Sequence, residues 1–429
     1  MATRPVSTRA ETALVEQFTA AKAALPGDRD LRETAFAAVV EGLPHRRIED
    51  WKYTDLRALM KDARPLAVPP EEAEIEAAKK AVPFAGVKAA RFLFVNGVLA
   101  ERGTLPKGVE AVSLARAYAE NHPLLARFGE SGVPADNAAV ALNTAFVSDG
   151  VLLTVAKGAK VEMPLHLAFV QQGEGHAGYA RVLVVVEEGA SVSLIESHVG
   201  KGQHQTNSYV EILAADKTDV FAVKLQNEDL SAQHLATFAM KVGADAKVTT
   251  VNVARGAAVA RQQFHVLCEG DNSHVSLNGI SLSGGKRHLD TTLFVDHASY
   301  GCESREQFKQ VLDGESRSVF QGKILVRQNA QKTDGRMMMR ALMLSEGSEA
   351  DMKPELEIYA DDVQCAHGAT CAALEDEYLF YLMARGIPRQ QAEAMLIEGF
   401  IDELFDVIED ETLKGDLETI THDWLKVRD

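Results

Sequence analysis

Residues 181–195 read RVLVVVEEGASVSLI, two strand-forming runs separated by the turn Glu188-Gly189-Ala190. Both runs are rich in β-branched residues and lack the spacing of an amphipathic helix. The same alternation of a short run and a turn containing Gly or Asp extends from about residue 131 to residue 364. This stretch is therefore predicted to consist of short β-strands.

The turns of this β region recur at nearly constant intervals. Their spacings are 31, 27, 27 and 27 residues, measured at Gly158, Gly189, Asp216, Gly243 and Gly270. Such an interval leaves room for strands that stack on those of the next turn, but not for crossover helices, which is typical of a β-solenoid. We expect the turns at 313–314 and 346–347 to continue this series. A large antiparallel β-sandwich is the alternative.

Helical sequence flanks the β region on both sides. Apolar residues recur with helical spacing over residues 11–59, Asn96-Gly97 predicts a hairpin, and Gly386-Ile387-Pro388 separates two helices after Thr370. The predicted regions are a mostly helical part with a short hairpin (1–130), a β core (131–365) and a C-terminal helical part (366–429). The fold class is mainly β with flanking α.

The C-terminal region combines an apolar stripe with a strong negative charge. The predicted stripe consists of Ala392, Met395, Leu396, Gly399, Phe400, Leu404, Val407 and Ile408. Residues 375–429 contain 15 acidic and 5 basic side chains. Such a segment is either a solvated surface or a docking element for a basic partner, and the sequence leaves both interpretations open.

Composition excludes several functional classes. The net charge of −17 argues against sequence-independent binding to nucleic acid or anionic lipid. No run of apolar residues is long enough to cross a bilayer, and no signal-type apolar segment follows the first residues, so we expect a cytoplasmic protein. Four cysteines are too few for a disulfide framework in 429 residues.

Complete catalytic motifs are absent from the sequence. The string at 282–286, LSGGK, resembles the signature loop of ABC ATPases, but no G-x-x-x-x-G-K-[ST] phosphate loop accompanies it. We therefore predict an ordinary turn there. There is also no G-x-S-x-G elbow and no H-E-x-x-H metal motif.

The stretch 364–370, QCAHGAT, is the best candidate for a functional site. Residues two apart in a strand point to the same side, so Cys365 and His367 would share one face. A thiolate and an imidazole are both suitable ligands for iron. The alternative is that Cys365 packs and His367 bonds a backbone carbonyl, and spacing does not decide between them. Cys371 is a further possible ligand, but the intervening Gly368 prevents its orientation from being predicted from the strand alternation.

Several longer motifs resemble those of the SufB/SufD family. They are QKTDG (331–335), KPELEIYADDVQCAHGAT (353–370) and LFYLMARGI (379–387), and RRIEDWKYTDL (46–56) resembles the amino-terminal motif of the SufD branch. The resemblance implies a right-handed parallel β-helix between two helical regions. It also implies a non-catalytic subunit of an iron-sulfur cluster assembly complex that contributes to iron acquisition.

The resemblance further implies partners and a site. The end of the β-helix would pair with a SufB-type subunit, or with a second copy when isolated, and the C-terminal helices would dock a SufC-type ABC ATPase. His367 would be a metal ligand at a site shared with the partner, with Cys365 beside it. The Fe-S cluster would form there transiently, the isolated chain would bind no cofactor, and a reduced flavin would belong to the complex.

Two other functional classes fit a β-solenoid. A carbohydrate-active enzyme would need secretion and carboxylates along one face, and no signal peptide supports it. A stand-alone metal-binding protein would carry stoichiometric iron as a purified monomer, whereas a shared site would hold little or none without the partner.

Overall fold

The computed structural model describes residues 7–426 and begins with a helical segment. Its helices are α1 (Arg9–Ala21), α2 (Arg29–Val40), α3 (Leu56–Leu59) and α4 (Glu72–Ala81), with a 3-10 turn at Glu49–Trp51. Next come β1 (Ala90–Val95), β2 (Val98–Arg102), β3 (Val109–Ser113), α5 (Leu114–Glu120), a 3-10 turn at Pro123–Arg127 and α6 (Ala138–Phe146). β1 and β2 form the hairpin predicted at Asn96-Gly97.

Sixteen strands and three helices follow. The strands are β4 (Asp149–Val155), β5 (Leu165–Gln171), β6 (Ala177–Val186), β7 (Ser191–Gly200), β8 (Gln205–Ala214), β9 (Asp219–Glu228), β10 (Gln233–Val242), β11 (Lys247–Ala254), β12 (Val259–Cys268), β13 (His274–Ser283), β14 (His288–His297), β15 (Glu303–Leu312), β16 (Arg317–Val326), β17 (Asp334–Met343), β18 (Glu349–Ile358) and β19 (Gln364–Ala372). The helices are α7 (Asp376–Met383), α8 (Arg389–Asp402) and α9 (Glu411–Lys426), with a 3-10 turn at Glu403–Phe405.

Successive strands from β4 onward alternate between two sheets. Even-numbered strands lie in a nine-stranded sheet that ends at β18, and odd-numbered strands lie in a ten-stranded sheet that ends at β19. Neighbouring strands of this set pair in parallel, for example Ser191 with Asp219 and Asp219 with Lys247. Two strands therefore make one turn of a solenoid, and there are about eight turns. This confirms the predicted β-solenoid between helical regions and excludes the antiparallel sandwich.

A ladder of hydrogen bonds between stacked turns explains the constant spacing. Gly189, Lys217 and Asp245 each have a positive φ, between 53° and 71°. The amide of Gly189 donates to the carbonyl of Asp216 at 2.9 Å, and the amide of Lys217 donates to that of Ala244 at 2.8 Å. Adding or removing one residue in a turn would break this alignment and shift the following strand to the wrong face.

The prediction that turns 313–314 and 346–347 continue the first series is wrong. The first series connects even-numbered to odd-numbered strands and continues through Gly301 and Lys332. Gly314 lies on the opposite edge, where the amide of Glu315 donates to the carbonyl of Gly285 at 2.8 Å. Turns at both edges contain glycines with positive φ, so residue composition does not show to which edge a turn belongs. The LSGGK string forms such a turn at Gly285, as predicted.

Apolar side chains form three layers. The interior between the sheets is filled by residues such as Val182, Val210, Phe238, Phe264 and Leu293. The outer face of the nine-stranded sheet packs against α1, α2 and α6, and the outer face of the ten-stranded sheet packs against α8 and α9. Each fully buried large apolar side chain contributes about 1.5–3 kcal/mol, so the helices are integral to the fold.

The RRIEDWKYTDL motif attaches the N-terminal segment to the nine-stranded sheet. The buried Trp51 ring lies 4.0 Å from the guanidinium carbon of Arg261 in β12. Arg261 also donates to the carbonyl of Asp50 at 2.7 Å and pairs with Asp290 of β14 at 2.5 Å. Trp51 is therefore the aromatic anchor that attaches this motif to the sheet.

The stripe predicted on the C-terminal helices is only partly correct. Ala392, Leu404 and Ile408 are buried, but Met395 is 42% exposed and Val407 is 39% exposed. The buried contacts to the sheet also come from residues outside the predicted stripe, namely Ile397, Ile401 and Phe405. The turn at 386–388 separates α7 from α8, as predicted.

The proposed division at residues 131 and 366 stays a prediction. β1 precedes residue 131 but pairs in parallel with β5, and β3 pairs antiparallel with β4, so both belong to the sheets. β19 runs through residue 365 into the C-terminal region. Within residues 7–426, no helix has the length and hydrophobicity needed to span a bilayer.

Candidate functional site

The two ends of the solenoid differ. At the N-terminal end, β2 and β3 close the sheets by antiparallel pairing. At the other end, β18 and β19 are the last strands of the two sheets. Ile358 and Tyr359, which follow one another at the end of β18, are exposed apolar or aromatic side chains. The C-terminal end therefore presents two edge strands with unused backbone donors and acceptors, which are ready to pair with another chain.

Cys365 and His367 lie on the edge strand β19. Their register partners on β17 are Gly335 and Met337, and Met337 is buried in the interior of the solenoid. Cys365 is half-buried and packs against the same interior cluster, whereas His367 is exposed. The two residues thus occupy alternate positions on one side of the strand, as the spacing predicts, and the imidazole is the more accessible of the two.

The thiols at this end are not activated. Burial raises the pKa of the Cys365 thiol, and burial also raises the pKa of Cys371, which is exposed near the end of β19. Both are therefore protonated at neutral pH and would have to lose a proton to bind a metal. His367 is exposed whereas Cys365 is half-buried, so His367 is the more accessible of these two candidate ligands.

A cavity of about 430 Å³ opens beside His367. It is lined by Arg305, Glu306, Gln307, Phe308 and Lys309 of β15, Arg336, Met337, Met338 and Arg340 of β17, Ala366, His367 and Gly368 of β19, and Glu403. These residues come from three consecutive odd-numbered strands and from the turn after α8. The cavity therefore links the open end of the solenoid with the C-terminal helices.

Cationic side chains dominate the wall of this cavity. Arg305 pairs with Asp334 at 2.7 Å, and Lys309 pairs with Glu403 at 2.5 Å. The exposed Arg340 makes no ion pair at contact distance within residues 7–426, although its charge helps to lower the pKa of Glu403. In a chain of net charge −17 this is a local positive patch, which would attract an anionic group.

Glu306 is a site residue that the sequence analysis missed. It lies on β15 opposite Met337, which is in turn opposite His367, so all three belong to one column of the sheet. The side chain is fully buried, and neither carboxyl oxygen makes a well-formed hydrogen bond in the described part of the chain, although the Ser304 hydroxyl is near enough to oppose the rise in its pKa. Burial raises the pKa of Glu306 to about 8. Only the register reveals it, because it is 61 positions from His367 in sequence.

Replacing Glu306 with glutamine is expected to make stability less dependent on pH. The folded state holds a proton on Glu306 up to about pH 8, whereas the unfolded chain releases it near 4.5. Wild-type stability should therefore fall as pH rises from about 5 to 8, by at most about 1.4 kcal/mol per pH unit from this group. Urea unfolding midpoints at pH 5, 6, 7 and 8 measure the difference.

Glu315→Gln is the matched control, since Glu315 is exposed and its ion pair with the exposed Lys286 lies on the surface. That variant should follow the wild-type pH profile. Parallel profiles for Glu306→Gln and the wild type would show that the Glu306 carboxyl does not titrate as its burial implies.

Two other histidines, His198 and His204, are buried in contacts with glutamates. His198 lies 2.6 Å from Glu196, which also pairs with Lys224, and His204 lies 3.3 Å from Glu228. All of these side chains are buried. Across residues 7–426, no cluster of three or more His, Cys, Asp or Glu side chains has the arrangement of a metal site.

An exposed aromatic surface lies on α7. Phe380 is 75% exposed, and Tyr378, Tyr381 and Met383 are also exposed, while Leu379 is buried. We call these four exposed residues the α7 surface. Large apolar side chains that lie together on a surface are typical of an interaction site. The family-like motif 379–387 covers most of α7, but the sequence alone did not predict that its aromatic side chains are exposed.

Comparison with known proteins assigns the chain to a family. Residues 169–400 match the family model described as SUF system FeS cluster assembly, SufBD core domain, and residues 17–167 match the SufBD protein N-terminal region. The chain therefore belongs to the SufB/SufD family of iron-sulfur cluster assembly proteins. Within that family it is SufD-like.

Three relatives support this placement. The chain is 31% identical over 382 residues to the iron-sulfur cluster assembly protein SufD of Escherichia coli, covering 87% of both chains. It is 29% identical over 394 residues to the SufBD family protein slr0076 of Synechocystis, covering 87% of this chain and 86% of that one. It is 30% identical over 271 residues to protein ABCI7, chloroplastic, of Arabidopsis thaliana, covering 60% and 57% respectively.

Proposed function

We propose that this chain is a non-catalytic scaffold subunit of a cytoplasmic SufBCD-type complex that builds iron-sulfur clusters de novo and takes part in iron acquisition. The observation that carries the proposal is the open C-terminal end of the solenoid, where His367 and Cys365 lie on an edge strand beside a positively charged cavity. Family membership supplies the chemical context. The cluster is cargo in this proposal, and no permanent cofactor is assigned to the isolated chain.

The open end is the surface proposed for a SufB-like subunit. β18 and β19 offer backbone groups for pairing, and exposed Ile358 and Tyr359 add apolar contact area. A second solenoid with a similar end would cover both edge strands at once. The same surface would allow a homodimer when the chain is isolated.

Cluster formation is proposed at the resulting junction. His367 offers one nitrogen ligand, and Cys365 offers a thiolate only after it loses its proton. Iron in a cluster is held by four ligands, so the partner and the inorganic sulfide would supply the others. Arg340 and Arg336 would attract the anionic sulfide-bearing cluster, and an imidazole in place of a thiolate makes the site less negative and release easier. A reduced flavin elsewhere in the complex would supply electrons.

The C-terminal helices are proposed to dock a SufC-like ABC ATPase. The α7 surface gives the apolar anchor, and the excess of acidic residues over 375–429 favours a basic partner. Lys309 of β15 contacts both Glu403 and the carbonyl of Phe400, so the helices are joined directly to the cavity beside His367. ATP-driven pairing of two ATPase subunits would pull on these helices and bias the junction between closed and open arrangements.

Co-purification of point variants with both partners tests the proposal. Deleting the C-terminal helices would expose Val253, Ile280 and Leu282, so single surface variants are preferable. Phe380→Asp is expected to weaken ATPase binding more than tenfold and to leave the SufB-like subunit bound, because it alters the α7 surface alone. Ile358→Asp is expected to weaken binding of the SufB-like subunit and to leave the ATPase bound.

Val68→Asp is the matched control, since Val68 is 73% exposed and lies before α4. It should retain both partners. Wild-type stoichiometry for Phe380→Asp and Ile358→Asp would exclude both docking surfaces. Stoichiometric iron on the purified monomer would instead favour the stand-alone metal-binding protein.

A further inference from the structure

A second cavity, far along the chain from β19, lies between the N-terminal helices and the outer face of the nine-stranded sheet. Its volume is about 820 Å³, within the range of small-molecule sites. The walls are formed by α2, α6, the segment after α5 and two strands, β6 and β8. We call it the α2 cavity. Nothing in the proposed scaffold function uses it.

Most of the α2 cavity is apolar, with aromatic rings at its inner end. Leu31, Ala35 and Ala38 of α2 face Leu125 and Val140 across it. Phe128 and Tyr209 lie with ring centroids 6.4 Å apart, and Tyr118 lines the wall nearer α2. Such a lining favours an apolar body of one or two rings over a small polar ion.

Arg181 provides one positive charge at the inner end. Its guanidinium lies 4.8 Å from the ring of Tyr209 and 5.3 Å from that of Phe128. Nε donates to Asn143 at 2.9 Å and Nη2 donates to Thr144 at 2.5 Å, both uncharged side chains. The residue is 6% exposed, and no carboxylate within the described residues pairs with it.

A second uncompensated cation lies behind the same wall. The buried Arg32 donates to the carbonyls of Pro26, Ala145 and Val147, and it too has no carboxylate partner among residues 7–426. Glu211, a buried carboxylate beside Tyr209, accepts from the amide and hydroxyl of Ser131 and from the hydroxyl of Tyr209. Two desolvated guanidinium groups without a counterion favour an anion at this point.

The aspartates of the lining do not supply that anion. Asp28 caps α2 by accepting from the amides of Asp30 and Leu31, and both Asp28 and Asp136 are exposed at the mouth of the cavity. Water screens charges at such positions. The positive charge of the cavity therefore lies in its interior, at Arg181. A ligand would enter through the polar mouth.

We propose that the α2 cavity binds a small molecule with one anionic group on an apolar ring system, and that the anion contacts the Arg181 guanidinium. Nη1 of Arg181 is the donor left over from the contacts to Asn143 and Thr144. A charge-assisted hydrogen bond at this desolvated position would be stronger than one on the surface. The apolar body would occupy the space between α2 and Val140.

Fluorescence titration of the full chain with two naphthalene probes tests the proposal. The anionic probe is 8-anilinonaphthalene-1-sulfonate, and the neutral one is N-phenyl-1-naphthylamine. We expect the sulfonate to bind one-to-one and at least about tenfold more tightly than the neutral probe, which corresponds to about 1.4 kcal/mol. Arg181→Gln should remove this preference, with folding checked by circular dichroism.

Ala38→Trp and Ala37→Trp form a matched pair that does not disturb Arg181. Both positions are exposed on α2, but only Ala38 lines the cavity. Ala38→Trp should lower sulfonate affinity at least tenfold, while Ala37→Trp should bind as the wild type does. Unchanged affinity in Ala38→Trp, equal affinity for the two probes, or no saturable binding at all would each overturn the proposal.

Discussion

In the assembled complex, His367→Ala is expected to lower cluster yield at least tenfold without releasing either partner. The side chain is exposed at the open end of the solenoid and contributes little to the fold, so the loss would come from the missing ligand. Because the proposed site is shared, removing one of this chain's two donors leaves an iron site that the partner cannot complete. This prediction rests on the proposed function.

Iron and acid-labile sulfide bound per complex after reconstitution give the yield, and gel filtration reports assembly. Thr370→Ala is the matched control, because Thr370 is an exposed residue of the same strand. His367→Cys adds a thiolate ligand at the same position and should restore part of the yield. Full yield from His367→Ala would remove His367 from the site.

A separate variant tests the role of Cys365. It is half-buried against Met337 and the interior cluster, and burial raises its pKa. Cys365→Ser combined with an iron and sulfide assay distinguishes a ligand or sulfur acceptor from a packing residue. A packing role predicts unchanged yield.

The spacing of turns predicted the solenoid because stacked turns impose a physical constraint on sequence. Each turn needs a residue with positive φ at nearly the same point, and Gly158 and Gly189 satisfy it visibly. Lys217 and Asp245 satisfy it without glycine, so the sequence analysis placed the equivalent positions at Asp216 and Gly243. Errors of one or two residues leave the period of the turns recognisable. They do not show which edge of the solenoid a turn belongs to, and the turns at 313–314 and 346–347 were assigned wrongly for this reason.

The functional site was predictable only where the motif is local. Cys365 and His367 are two residues apart, so strand geometry alone placed them on one side of β19. Glu306 and Arg340 come from β15 and β17, and only the register brings them to the same cavity. Likewise, helical spacing showed that α8 is apolar but not which side packs on the sheet.

The largest loss of stability is expected from Asp290→Ala. Asp290 is fully buried and accepts from Arg261 at 2.5 Å, from the Thr54 hydroxyl, and from Thr292 at 3.1 Å. Without it, the buried Arg261 guanidinium retains, among residues 7–426, the carbonyl of Asp50 and the face of Trp51 but no carboxylate. An uncompensated buried charge of this kind costs about 3–5 kcal/mol.

The effect should begin in the N-terminal motif. The Thr54 hydroxyl lies 2.9 Å from His288 Nε2, and burial lowers the pKa of His288, which favours a neutral imidazole. Because the single hydroxyl proton of Thr54 is donated to Asp290, Nε2–H of His288 is the donor to Thr54. That hydroxyl in turn donates to Asp290, which makes the carboxylate the end of a chain that joins residues 50–54 to the sheet. Loss of Asp290 removes the acceptor for Thr54 and Arg261, and Trp51 then loses its attachment to the sheet.

Trp51 and Trp424 are the two tryptophans of the chain, so a Trp424→Phe background isolates the signal of Trp51. In that background, Asp290→Ala should lower the urea midpoint measured by Trp51 fluorescence below the midpoint measured by far-ultraviolet circular dichroism. The double variant Arg261→Met with Asp290→Leu removes both charges and should lose less stability than Asp290→Ala alone. A loss below about 1 kcal/mol in Asp290→Ala, or no recovery in the double variant, would show that the buried charge does not govern attachment of the motif.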